Sequence, residues 1–278
     1  MMASRFAVRS TLRTSALTLL AVIGIGTATR PADANPRPLP FSYPYETLPE
    51  GQAEIEQYVD ATPLRIINPE NPARRVWDTG YQLQTEFEYG ISDRLELGLY
   101  LVYAADPGGP LGFDGVKQRL RLRLAEQGEW PVDIGLYGEV SEMHDELELE
   151  ERVIIARRFD KVRVMANLWL EQGFERYKGD PELFVRPTLG VTGELTPNVH
   201  LGAEYWMSAR VGDDEDSAEA DDFNRHTQHY VGPAVSLQFG KLWWTTGAYL
   251  RLNDMSRSGE LGDRYGHAWV RSVVGLSI

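Results

Sequence analysis

The sequence predicts an all-β chain: a transmembrane, antiparallel, up-and-down β-barrel of about 12 strands. Three observations lead there: a two-residue alternation of apolar and charged side chains recurring from Tyr81 to Ile278, a secretion signal at the start, and a regular succession of short turns and long loops. Tyr81, Leu83, Thr85, Phe87 and Tyr89 form one face of a strand, and Gln82, Gln84, Glu86 and Glu88 form the other. Successive side chains of a strand point to opposite faces, so such a segment is apolar on one side and charged on the other. With an export signal in front, the fitting arrangement is an apolar face toward lipid and a polar face toward a lumen.

The first 34 residues read as a secretory signal peptide. Arg5, Arg9 and Arg13 form a basic region, Ala16 to Gly26 an apolar run of 11 residues, and Ala32-Asp33-Ala34 a small-residue cleavage site. The apolar run is shorter than the about 20 residues a spanning helix needs. Cleavage after Ala34 removes four arginines and one aspartate, which moves the net charge from −13 to −16. That acidity argues against nucleic acid as a partner. There are no cysteines, so a disulfide framework, a thiolate metal site and a cysteine nucleophile are all absent. The mean hydropathy of −0.35 averages two opposite faces and does not count against a barrel.

Residues 35–50 are proline-rich (Pro36, Pro38, Pro40, Pro44, Pro49) and are expected to form an extended periplasmic lead-in, since proline removes ladder donors. The barrel then occupies 51–278. Its first strand is expected at Gln52–Asp60, followed by a long loop, Ala61 to Asp78, where Pro63, Pro69 and Pro72 interrupt strand structure. Beyond it come Tyr81–Gly90, Leu95–Tyr103, Val116–Leu124, Val132–Val140, Glu146–Arg158, Val162–Glu171, Leu183–Leu195, Val199–Met207, Tyr230–Phe239, Leu242–Leu252 and His267–Ile278. The even-numbered connections are short and the odd-numbered ones mostly long, the bacterial pattern with both termini in the periplasm. Tyr89, Tyr100, Tyr103, Trp130, Tyr205, Trp206, Trp243, Trp244 and Trp269 cluster near strand ends, where interfacial girdles would hold them. The last strand ends in apolar Ile278, in keeping with recognition by the barrel-insertion machinery.

Tyr45-Glu-Thr-Leu-Pro-Glu-Gly-Gln-Ala-Glu-Ile-Glu-Gln57 and Thr85-Glu-Phe-Glu-Tyr-Gly-Ile-Ser-Asp-Arg-Leu-Glu-Leu-Gly-Leu-Tyr100 resemble segments of an uncharacterised family of bacterial outer-membrane β-barrels. They are also similar to transporters assigned to phenol meta-cleavage pathways. The resemblance implies an outer-membrane barrel and a transport role, and supplies no catalytic residues.

The face expected to line the lumen carries Glu86, Glu88, Glu96, Lys117, Arg119, Arg121, Arg123, Glu139, Arg163, Glu204, Arg251 and Arg271. Four cations at every second position of one strand cannot face lipid, where each would cost about 2–4 kcal/mol at the midplane. Two readings of this surface are open. Opposed basic and acidic walls would orient small solutes in a narrow channel; alternatively, charge ladders neutralise one another and close the lumen. Eight strands are filled by side chains and sixteen leave a channel, with twelve between.

Enzyme signatures are weak. No serine follows a histidine by two residues, the face-sharing pair that an outer-wall lipase would need. His226 and His229 near Asp221 and Asp222 offer metal-ligand types, and Asp213, Asp214, Asp216, Asp221 and Asp222 with His226 offer those of a rim protease; solvated acidic loops share both compositions. The loop 208–225 lacks EF-hand spacing, and bridging of divalent ions to lipopolysaccharide suits it better. The expectation is therefore a non-enzymatic barrel of the Gram-negative outer membrane without cofactor or bound metal. Its partners would be outer-membrane lipid, lipopolysaccharide and a small-molecule solute.

Overall fold

A computed structural model describes residues 36–68, 70–144, 146–175, 181–211, 227–253 and 266–278. The segment expected to be a signal peptide, Pro69 and the acidic residues from Asp213 to His226 lie outside these. The described chain is an all-β sheet closed on itself. Its strands are β1 (Ala53–Asn68), β2 (Asn71–Ser92), β3 (Leu95–Ala105), β4 (Gly112–Arg123), β5 (Asp133–Met143), β6 (Glu146–Phe159) and β7 (Val162–Glu175), then β8 (Glu182–Val185), β9 (Thr188–Thr196), β10 (Val199–Val211), β11 (Gln228–Phe239), β12 (Leu242–Arg251) and β13 (Ala268–Ser277). Each pairs antiparallel with its neighbours, and β13 closes onto β1 through Glu54↔Ser277 to Ala61↔Val270.

β8 and β9 both bridge β7 to β10, so together they make one stave and the barrel has twelve. The stave predicted as continuous, Leu183–Leu195, breaks at Arg186-Pro187 because proline has no N–H for the ladder.

Alternation sets which way each strand faces. On β2, Phe87 is 46% exposed to the outside while Glu86 is 0% exposed. The outer surface carries exposed Leu, Val, Phe, Tyr and Trp side chains from every long strand, such as Leu120, Leu136, Val153, Leu168, Leu201 and Val274. Charged and polar side chains fill the inside. A soluble protein would invert this pattern. Adjacent aromatic pairs cannot share a face, so the girdle expected at the strand ends is only half present. Tyr89, Tyr103, Trp130 and Trp244 are exposed, whereas Tyr100, Trp206 and Trp243 are buried in the interior, with Trp269 beside them.

The loop expected from Ala61 to Asp78 is a strand pair instead. β1 leaves β13 after Ala61 and β2 meets β3 only from Tyr81, yet β1 and β2 stay paired up to Asn68↔Asn71. Among the described residues, no strand pairs with either outer edge of this extension. Proline is tolerated at an edge, which is why Pro63 and Pro72 do not interrupt it.

The larger departure is the proline-rich segment. Expected outside the barrel, residues 37–45 are all buried, and the segment runs within the lumen as a plug without strand structure. Leu39 sits over Gly190 and Gly202, where a Cβ on Gly190 would overlap its Cδ1. Phe41 packs 4.7 Å from Trp206 and 5.1 Å from Tyr249 between ring centroids. Pro36 and Pro38 lie by Lys161 in the β6–β7 turn, and Thr47 hydrogen-bonds the Asp93 carbonyl in the β2–β3 turn at 2.9 Å. Both limbs therefore lie at the short-turn end, and the tip, Phe41–Tyr43, points inward.

A Gly190→Val substitution should overpack the Leu39 seat by about 1–3 kcal/mol while leaving the strands intact. Chymotrypsin cleavage after Phe41 and Tyr45 should accelerate by about tenfold, with unchanged heat-modifiable gel migration of the folded barrel.

Candidate functional site

Proline content explains how the plug can be buried. Every buried backbone N–H needs an acceptor, and Pro38, Pro40 and Pro44 have none to satisfy. Four of the N–H groups that remain, on Phe41, Ser42, Tyr43 and Leu48, are met by wall side chains. Glu204 on β10 accepts from Phe41 N at 3.2 Å and from Ser42 N at 2.5 Å. Asn167 on β7 accepts from Tyr43 N at 2.8 Å and donates back to the Tyr43 carbonyl at 3.2 Å. Glu96 on β3 accepts from Leu48 N at 2.7 Å. Ser42 Oγ lies 2.7 Å from Thr188 Oγ1, and Thr245 Oγ1 donates to the Arg37 carbonyl at 2.5 Å.

Beneath the tip, Arg37 anchors the first limb. Its Nε donates to Glu56 at 3.2 Å, and its Nη2 donates to Glu86 at 3.0 Å and Glu88 at 2.9 Å. The wall completes the network. Register sets Arg119 and Glu88 on opposite sides of Gly98 and places Arg121 directly across from Glu96. Gly98 is needed there, because a Cβ would come within 2.8 Å of the Arg119 Cγ. Arg119 reaches Glu86 at 2.6 Å, Glu96 at 2.7 Å and also Glu88; Arg121 reaches Glu96 at 2.7 Å. All these side chains are at most 2% exposed. Glu54, Glu56 and Glu88 offer oxygens within 4.8 Å of one another, but the Arg37 guanidinium already binds two of them where a cation would sit.

Beyond the tip, toward the long loops, lies a chamber of about 270 Å³. Its floor is Phe41 and Tyr43; aromatic rings including Tyr58, Tyr137, Trp169 and Trp269 line it together with ion pairs. Lys117 binds Glu139 at 3.1 Å, Arg186 binds Glu171 at 2.6 Å, and Arg271 binds Asp60 at 2.7 Å. At the short-turn end, a second cavity of about 190 Å³ includes Pro36, Pro38, Lys161 and His200 in its walls. Buried residues of the plug lie between the two.

The residues singled out from the sequence fall into distinct groups. Glu86, Glu88, Glu96, Arg119 and Arg121 form the buried network. Lys117, Glu139 and Arg271 line the chamber. Glu204 holds the plug tip. Arg163 binds Glu46 of the plug at 2.7 Å. Arg123 caps the short-turn end, donating to the Asp93 carbonyl at 2.8 Å, and Arg251 is buried on β12 opposite Tyr230. Sequence reasoning missed Arg37, Tyr43 and Trp169, whereas Arg152 falls on the inward parity of β6 with Glu148 and Glu150. Arg37 carried the one available signal, being the only cation of residues 35–50.

No protein-family model matches the chain, and no curated protein matches its sequence. Among solved structures, the fold is similar to an outer membrane channel from Pseudomonas putida F1, with a TM-score of 0.59, 11% identity and coverage of 84% of this chain and 98% of that one. It is also similar to the NanC porin, with a TM-score of 0.50, 8% identity and coverage of 80% and 98%.

Removing one partner from a buried ion network leaves charge uncompensated, at a cost of about 3–5 kcal/mol. Arg119→Met should therefore lower the urea midpoint of the lipid-reconstituted barrel, followed by tryptophan fluorescence. Adding Glu86→Gln should cost much less than the sum of the single changes, since the two side chains act as a pair.

Proposed function

We propose that this chain is an outer-membrane conduit for small solutes whose lumen is closed by its own residues 36–49. The apolar outer face and closed sheet suit a bilayer, with the long loops outward toward lipopolysaccharide and the short turns in the periplasm. The observation that carries the gated reading is how the plug is held. Among the described residues, side chains rather than strand pairing tie residues 36–48 to the wall, so the segment can leave without opening the barrel. Similarity in fold to a channel and a porin is consistent with this role. No step here requires a catalytic group, a cofactor or a metal; the rim residues considered for hydrolysis, Asp222 and His226, lie outside the described part of the chain. The solute is a small molecule, and a phenol-pathway compound belongs to the resemblance alone.

A second reading, a non-conducting structural barrel, is favoured by the completeness of the same plug. The two separate on one experiment. Ser42 and Thr188 face each other across plug and wall, and the chain has no other cysteine to interfere, so S42C/T188C gives a reversible tether. In planar bilayers the oxidised protein should be silent, and reduction should restore the opening events of the unmodified chain. Silence in every state would favour the structural barrel. Equal conductance with and without the tether would remove the plug from the path.

A further inference from the structure

We infer that the chamber on the long-loop side of the plug is a binding site for small monocarboxylates, with Arg152 as the residue that recognises the carboxylate. Within the conduit reading above, this names the class of solute. Arg152, on β6, is 7% exposed and lines the chamber. Its guanidinium carbon lies 3.7 Å from the Trp169 ring centroid, 4.5 Å from that of Tyr43 and 4.8 Å from that of Tyr137. Glu150 takes its Nε, which fixes the fork between the rings. Its Nη1 is enclosed and has no acceptor among the described residues, and neither have the indole N–H groups of Trp169 and Trp206.

The imbalance is one-sided. Glu139, Glu150 and Glu171 are already held by Lys117, Arg152 and Arg186, while among the described residues the unfilled buried groups lining the chamber are all donors. A buried charged donor left without an acceptor is costly, and a guanidinium N–H is best met by a carboxylate oxygen. A solute bringing one would place its body against the surrounding rings. Glu148, on the same face of β6 and partly exposed, sets a like charge in the chamber wall and selects against polyanions.

The test is calorimetric titration of the folded, detergent-solubilised full chain with benzoate, cyclohexanecarboxylate and the neutral benzamide. At least one of the two acids should bind, the pair separating a planar from a merely apolar body, and benzamide should bind at least tenfold more weakly than benzoate if benzoate is the ligand. Arg152→Met should reduce acid binding at least tenfold. Trp169→Phe, which keeps an aromatic ring but removes the indole N–H together with part of the ring surface, should reduce it several-fold and guards against a misfolded Arg152 variant. No heat from either acid, benzamide binding as tightly as benzoate, or acid binding untouched in both variants would overturn the site. Oxidised S42C/T188C should still bind the acid. Intact binding in a protein that never conducts would overturn the conduit and leave the site standing.

Discussion

Everything inside this barrel depends on the burial of Arg37 among carboxylates contributed by β1 and β2. An isolated guanidinium cannot be taken out of water at bearable cost, nor can Glu56, Glu86 and Glu88 be packed together without a cation. Each side makes the other possible. Arg119 and Arg121 supply the rest of the compensation from β4, so the plug arrives at a wall whose own charges are already arranged to receive one more positive group. The network is thus both ballast for the barrel and a socket for the segment.

Seen this way, the question of whether twelve strands leave a pore has a different form. The lumen is wide enough for side chains and one extra pass of backbone in and out, and this chain supplies that backbone itself. A charge ladder across bare walls is replaced by a wall–plug–wall sandwich, with the aromatic tip capping the ions and separating them from the chamber. Glu204, which reads as one more lumen charge, instead accepts two backbone N–H groups and the Tyr249 hydroxyl.

The strands were legible because period two survives any tertiary context: a slip of one residue on β2 would put Glu86 into lipid and Phe87 into the ion network. Turn chemistry at Ser92-Asp93-Arg94 and at Gly240-Lys241 fixed the ends. The lumen charges could be picked out by the same parity, but not their partners, since register between strands and the path of the plug are not local properties. Proline misled in both directions. Its missing N–H was read as an interruption at Pro63, where no described strand pairs on the outer edge and it is harmless, and as a sign of an exterior segment at residues 36–49, where it allows burial. Parity applied to Tyr205-Trp206 and Trp243-Trp244 would have shown that only one of each pair can reach the interface.

Both limbs of the plug lie at the same end of the barrel, which makes it a re-entrant loop rather than a strand threaded through. A threaded segment would have to be in position before β1 met β13, tying the order of assembly to the chain's own interior. A loop that enters and retreats through one mouth imposes no such order: the sheet can zip shut around water, and the stopper can be seated afterwards. Insertion into the membrane and closure of the lumen are then topologically independent events, and the seam between the first and last strands never needs to reopen for the stopper to move.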